Sequence, residues 1–160
     1  FLTVLVDLNF AIQAGISLAA ILFINTMMKA STIKTYEENQ DDDPDSTSKK
    51  MVPKDVEIYE IEGPLFFGIA EKLIDTISLV KTPPKVFILR MRHVPLIDAA
   101  GLHALEVVYE RLAKNNTTLI LSGVTPQVGR YLSKSGLSSL IGQENIVDHI
   151  DKALLRANHI

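Results

Sequence analysis

His93-Val94-Pro95-Leu96-Ile97-Asp98-Ala99-Ala100-Gly101-Leu102 joins an apolar run of strand length to an amphipathic segment. The preceding run, Lys85 to Met91, is rich in residues that suit a sheet core. Asp98 is predicted to cap a helix, because its carboxylate can accept hydrogen bonds from the free amides of the first turn. In the segment that follows, apolar residues recur every three or four positions, as on one helical face: Leu102, Leu105, Tyr109 and Leu112. This stretch therefore predicts a strand, a short loop and a capped helix.

The alternation of strand and helix patterns extends along the chain. Thr125-Pro126 is a cap and first-turn pair for a helix, and Gly136 can take the left-handed conformation that closes it. Alternation of this kind predicts an α/β fold with a mostly parallel or mixed central sheet and flanking helices. The predicted strands are residues 32–36, 56–61, 85–91 and 117–121, and the further helices are residues 66–80, 126–134 and 146–157.

The first thirty residues differ from the rest, because no charged side chain occurs from Leu8 to Met28. This run is near the lower limit for crossing a hydrocarbon core of about 30 Å. A signal peptide fits poorly, since the basic residue Lys29 follows the run instead of preceding it. A buried helix of a soluble domain is an alternative, and a membrane segment is favoured. We therefore expect two parts, residues 1–30 and residues 31–160.

Composition narrows the function classes. The net charge is −3 and the 16 Lys and Arg residues form no block, so a nucleic-acid partner is not expected. The chain has no cysteine, and its four histidines lack metal-ligand spacing, so we expect no metal site, no catalytic residues and no cofactor. Residues 37–50 carry six acidic side chains without the glycine turn of a calcium loop, and a flexible acidic loop is predicted there.

Two turns lie at predicted helix starts and are candidate sites. Ordinary capping accounts for Asp98, Ala99, Ala100 and Gly101, but small side chains and free amides there could also meet a partner protein. Ser122, Gly123 and Thr125 form the second turn, which could contact an anion or a nucleotide phosphate. This second site is weakly supported, since it lacks the glycines and lysine of a phosphate-binding loop, and capping is favoured.

Four stretches are informative together: Glu62-Gly63-Pro64-Leu65-Phe66-Phe67-Gly68, Ile97 to Leu102, Leu119-Ile120-Leu121-Ser122-Gly123-Val124-Thr125-Pro126, and Leu132 to Leu137. In these stretches the chain resembles a STAS domain, the domain of sulfate transporters and anti-sigma factor antagonists. Residues 4–9 and the apolar run after them also look like the end of the membrane domain in SulP anion transporters. In that family the STAS domain follows on the cytoplasmic side, so the order of segments here favours the transporter branch.

The resemblance also bears on regulation. In the antagonist branch the phosphorylated serine lies two positions after the equivalent of Asp98, where this chain has Ala100. The resemblance therefore implies a non-catalytic regulatory domain of a SulP-type secondary anion transporter, at the cytoplasmic face of a bacterial inner membrane. Its implied partners are the membrane domain of the same transporter, a cytoplasmic regulatory protein and a second copy of the chain. The alternative is a soluble regulator of the antagonist type, and a small α/β enzyme or nucleotide-binding protein is a third class.

Overall fold

The computed structural model describes residues 8–30, 32–35, 52–78 and 82–160. Contacts divide the chain into two units, residues 1–30 and residues 31–160, and each unit is described by itself. The acidic loop predicted at residues 37–50 lies outside the described residues, as do Tyr36 and Val80, which end a predicted strand and a predicted helix.

The described part of the first unit is one helix, α1 (Leu8–Ala30), of 23 residues. At about 1.5 Å per residue it is about 34 Å long, which is comparable to a hydrocarbon core of about 30 Å. Residues Leu8–Thr26 have a mean hydropathy of 1.7, and none of this stretch is buried. Large apolar side chains such as Ile16 and Phe23 are about two-thirds exposed, at 66% and 64%. Among the described helices, α1 alone has the length and composition to cross a membrane.

The second unit is built on a five-stranded sheet with the order β1-β2-β3-β4-β5. Strand β1 (Thr32–Thr35) pairs antiparallel with β2 (Val56–Glu62). The other neighbours pair in parallel: β2 with β3 (Val86–His93), β3 with β4 (Thr118–Ser122), and β4 with β5 (Ile146–Val147). The α/β class is confirmed, with a mixed sheet that has one antiparallel edge.

Helices cover both faces of this sheet. Alternate residues of each central strand point to opposite faces, so both faces carry apolar side chains that the helices bury. On one side, Phe87 and Leu89 of β3 are fully buried with residues of the long helices. On the other side, Ile88 of β3 and Ile120 of β4 pack with the last helix. The helices are α2 (Phe67–Ser78), α3 (Ala99–Lys114), α4 (Pro126–Lys134), α5 (Leu137–Ile141) and α6 (Ile150–Ala157).

The structure corrects the sequence prediction for the end of the chain. Residues 146–149 are not helical, because Ile146 and Val147 form β5 beside Leu121 and Ser122 of β4. The last helix begins only at Ile150, after a 3₁₀ turn at Gln143–Asn145 and the strand. The short helix α5 was also not predicted. A strand of two residues is too short to leave an alternating pattern, so hydrophobic periodicity could not separate it from the helix that follows.

Candidate functional site

The turn between β3 and α3 has the predicted cap. The backbone of Asp98 is extended, with φ −99° and ψ −177°, and its Oδ1 atom accepts a hydrogen bond from the Gly101 amide at 2.7 Å. A carboxylate here satisfies one of the free first-turn amides and faces the positive end of the helix dipole. The capping prediction for Asp98 is therefore confirmed. On the buried side of α3, Gly101, Ala104 and Val108 join the predicted Leu105 and Leu112, whereas Leu102 and Tyr109 are only partly buried.

This turn is joined to the turn that follows β2. The Gly63 amide donates to the His93 carbonyl at 3.1 Å, and the Leu65 amide donates to the Leu96 carbonyl at 3.0 Å. The Asp98 amide in turn approaches the Leu65 carbonyl at 3.4 Å. These bonds hold the two turns together at the carboxyl edge of the sheet, which we define as the edge where β2, β3 and β4 end. The Glu62–Gly68 stretch is part of the family resemblance seen in the sequence, but the sequence does not predict its contact with the turn between β3 and α3.

Gly101 is buried and packs against that second turn. A Cβ atom at Gly101 would lie 2.3 Å from the Leu65 carbonyl oxygen and 2.8 Å from Cγ1 of Ile97. Both distances are far below ordinary contact, so only glycine allows α3 to approach the turn this closely. From the sequence, small side chains here are expected to let a partner protein approach closely. At Gly101 the group that approaches is the Leu65 turn of the same chain. That Gly101 belongs to a partner-binding loop stays a prediction, and the burial of Gly101 disfavours it.

Of the four predicted residues at this turn, Ala99 is exposed, whereas Asp98 and Ala100 are partly buried; Pro95, earlier in the turn, is also exposed. No Ser, Thr or Tyr occurs between Pro83 and Leu102, so the turn itself offers no hydroxyl for phosphorylation. The predicted residues thus form a small, firmly supported surface with one carboxylate and two methyl groups, next to the exposed Pro95.

The three residues of the second candidate turn do not form one accessible surface. Ser122 is fully buried, and its hydroxyl has no hydrogen-bond partner in the described part of the chain. Gly123 has a φ of +70°, and a Cβ there would lie 2.8 to 3.0 Å from atoms of Arg92. The Thr125 hydroxyl accepts from the Val128 amide at 3.3 Å, so it acts as the predicted cap of α4. An anion or nucleotide contact at this turn stays a prediction, and Ser122 offers no surface to such a ligand.

A buried charge cluster at the carboxyl edge escaped the sequence analysis. Glu60 of β2 is 1% exposed and Arg90 of β3 is 2% exposed. Arg90 Nη1 donates to Glu60 Oε2 at 3.3 Å, and Arg92 Nε donates to Glu60 Oε1 at 2.6 Å. His93 Nδ1 lies 3.4 Å from the same Oε1 atom. A signal existed for Arg90, because it interrupts the otherwise apolar run from Val86 to Met91, but not for Glu60, since β2 also contains Glu57 and Glu62.

The opposite end of β2 carries a second glutamate with a different environment. Burial raises the pKa of Glu57, and a hydrogen bond from Tyr59 opposes this in part. The Oε2 atom of Glu57 is buried without a hydrogen-bond partner among the described residues. Burial, and then the nearby Glu57 charge, also raise the pKa of Tyr59, whose ring stacks on Phe87 at 4.9 Å. Within the described residues, no group of three His, Asp or Glu side chains could hold a metal.

Comparison with known proteins assigns the fold to a family. A family model described as STAS domain matches residues 49–153. The chain belongs to the STAS domain family. This confirms the resemblance that rests on Ile97 to Leu102 and the neighbouring motifs. The carboxyl edge described above is therefore a feature of a STAS domain.

Relatives of this STAS chain are named as transporters. It is 35% identical over 152 residues to the putative sulfate transporter YvdB of Bacillus subtilis, a match that covers 94% of this chain and 28% of the relative. It is 26% identical over 159 residues to the bicarbonate transporter BicA of Synechocystis, covering 96% of this chain and 28% of that protein. The chain thus spans about a quarter of the length of these curated relatives.

A solved structure from the sulfate transporter family shares this architecture. The crystal structure of a sulfate transporter family protein from Wolinella succinogenes is 52% identical in sequence and has a TM-score of 0.71. The match covers 74% of this chain and 97% of that chain. The SulP transporter STAS domain from Vibrio cholerae, 29% identical with a TM-score of 0.61, covers 68% of this chain and 85% of its own, so sequence and architecture agree on the STAS assignment.

Proposed function

We propose that this chain is the cytoplasmic regulatory STAS domain of a SulP-type secondary anion transporter, together with the end of its membrane domain. The observation that carries the proposal is helix α1, an exposed apolar helix that precedes a STAS domain in the sequence. Because the match to YvdB covers 94% of the chain, it includes most of this helix as well. A helix with apolar side chains on all sides needs lipid or other helices around it.

The proposed role is regulation through contact and without catalysis. The support is the turn before α3, where Ala99 is exposed and the backbone is held by the neighbouring turn. A firmly held turn loses little conformational freedom on binding, so it suits a docking surface. Phosphorylation would not switch this turn, because Ala99 and Ala100 carry no hydroxyl. The membrane domain of the same transporter and a cytoplasmic regulatory protein are the proposed partners.

Substitution in the full-length transporter tests the docking turn. Ala99→Trp adds a bulky side chain at an exposed position while leaving the Asp98 cap in place. We expect a several-fold change in anion uptake into proteoliposomes, with an unchanged melting temperature. Ser133→Trp is the matched control, since Ser133 is an exposed small residue on α4, away from this turn. Uptake that is the same for Ala99→Trp, Ser133→Trp and the parent protein would rule out the docking role.

A further inference from the structure

A groove lies at the amino edge of the sheet, the edge opposite the carboxyl edge. It has a volume of about 340 Å³ and lies where α2 and α3 end. Its apolar lining includes Ile77 and Leu112, which are 6% and 5% exposed, together with Pro83 and Pro84. Its volume is in the range of small-molecule sites, which span about 300 to 1,000 Å³.

Two cations line the same groove, Arg111 and Lys114, and both side chains are exposed. Arg111 Nη1 donates to the Ser78 hydroxyl, which itself donates to the Ile74 carbonyl at 2.6 Å. This contact places the guanidinium at the groove wall and uses only one of its five N–H groups. In the part of the chain that the structure describes, neither cation has an Asp or Glu within ion-pair distance.

We propose that this groove binds a small organic carboxylate with an apolar body. The apolar body would lie mainly against Pro83 and Pro84, with Ile77 and Leu112 beneath, and the carboxylate would meet the guanidinium fork of Arg111 and the ammonium of Lys114. Arginine suits a carboxylate because two parallel N–H groups can bind its two oxygens. Two positive charges disfavour an organic cation, and a neutral molecule of the same shape gains only the apolar contact.

A structural role for the two cations makes a different prediction. Basic side chains in the last turn of a helix also stabilise its negative end. Lys134 occupies the equivalent place as the last residue of α4, and it does not line this groove. Helix stabilisation predicts that changes at Lys114 and Lys134 have similar effects and that neither affects ligand binding. Ligand binding predicts an effect at Lys114 and none at Lys134.

The test uses the whole chain in lipid nanodiscs and 4-(trifluoromethyl)benzoate as the probe, followed by ¹⁹F NMR. The matched neutral probe is 4-(trifluoromethyl)benzyl alcohol, and empty nanodiscs correct for partitioning into lipid. We expect saturable binding of the benzoate, with affinity at least about tenfold above that of the alcohol. The double variant Arg111→Gln with Lys114→Gln should weaken benzoate binding by about tenfold or more, as expected for losing charge-assisted hydrogen bonds.

The controls decide between the outcomes. Lys134→Gln should bind the benzoate like the parent chain, and thermal melting checks that every variant is folded. Binding that does not saturate, equal affinity for the benzoate and the alcohol, or unchanged affinity in the double variant would each overturn the proposal. A failed docking test at Ala99 would leave this result unaffected, because the two surfaces share no residue.

Discussion

Two of the three glutamates of strand β2, Glu57 and Glu60, lie three positions apart, and their environments differ. Glu60, at the carboxyl edge, is fully buried and contacts the guanidinium groups of Arg90 and Arg92. Glu57, at the amino edge, is partly buried, and its Oε2 atom has no hydrogen-bond partner among the described residues. The difference is one of charge pairing: at the carboxyl edge a buried glutamate faces two guanidinium groups, whereas at the amino edge a buried glutamate oxygen lacks a hydrogen-bond partner among the described residues. The proposed docking turn lies at the first edge and the proposed ligand groove at the second.

Replacing Glu60 should give the largest effect. Glu60→Gln keeps the side-chain volume but removes the charge that faces Arg90, which is 2% exposed. Breaking a buried ion pair by removing one partner typically costs about 3 to 5 kcal/mol of unfolding free energy. We expect a loss of about 3 kcal/mol, since Arg92 is 21% exposed and can turn towards water. Chemical denaturation of the chain in nanodiscs measures it.

An exposed ion pair gives the reference for this measurement. Asp55 and Lys85 are 64% and 70% exposed and lie 3.5 Å apart. Asp55→Asn should change the unfolding free energy far less than Glu60→Gln, because water screens exposed pairs. Equal losses for the two variants would mean that burial at the carboxyl edge contributes nothing to the cluster, and the comparison of the two edges would fail.

A pair of glycines tests how closely the carboxyl edge is packed. Gly101→Ala would place its Cβ 2.3 Å from the Leu65 carbonyl oxygen, so α3 or the turn must shift. We expect a loss of about 2 to 3 kcal/mol in unfolding free energy, typical of overpacking. Gly129 of α4 is the matched helical glycine, since its added Cβ would meet only Cγ1 of Val124 at 3.8 Å.

The matched variant should act in the opposite direction. Gly129→Ala should stabilise the protein by about 0.5 to 1 kcal/mol, the usual gain from alanine in a helix interior. The same denaturation experiment compares both variants. If Gly101→Ala proves as stable as Gly129→Ala, the turn at the carboxyl edge is free to move, and the argument for a firmly held docking surface is lost.

Local patterns in the sequence account for much of this fold. The cap at Asp98, the Thr125 cap and the left-handed Gly136 each depend on neighbours within a few residues, so residue type alone predicts them. Strand β5 and the Glu60 cluster depend on residues about 25 to 30 positions apart, which only the folded sheet brings together. Gly101 shows the same limit: the sequence gives a small residue, and only the structure shows that Leu65 requires it.

Replacing Glu57 should have the smallest effect on stability, and this effect should depend on pH. Because burial raises the pKa of this carboxyl, the folded chain holds the proton to a higher pH than the unfolded chain does. The folded state therefore binds more protons above the ordinary glutamate pKa, and this site loses stability as the pH rises through its raised pKa. Glu57→Gln removes this ionisable group. The stability of the variant relative to the parent chain should therefore rise as the pH increases through the same interval.

Melting temperatures measured between pH 4 and pH 8 test the sign of this effect. The difference between Glu57→Gln and the parent chain should grow with pH and then level off once the carboxyl is fully ionised in both states. Glu110→Gln, at an exposed position on α3, supplies the reference curve. A difference that stays constant with pH, or one that falls, would show that Glu57 is satisfied in the folded chain. The amino edge would then resemble the carboxyl edge, because the folded chain would favour the charged form of Glu57 as the arginines favour that of Glu60.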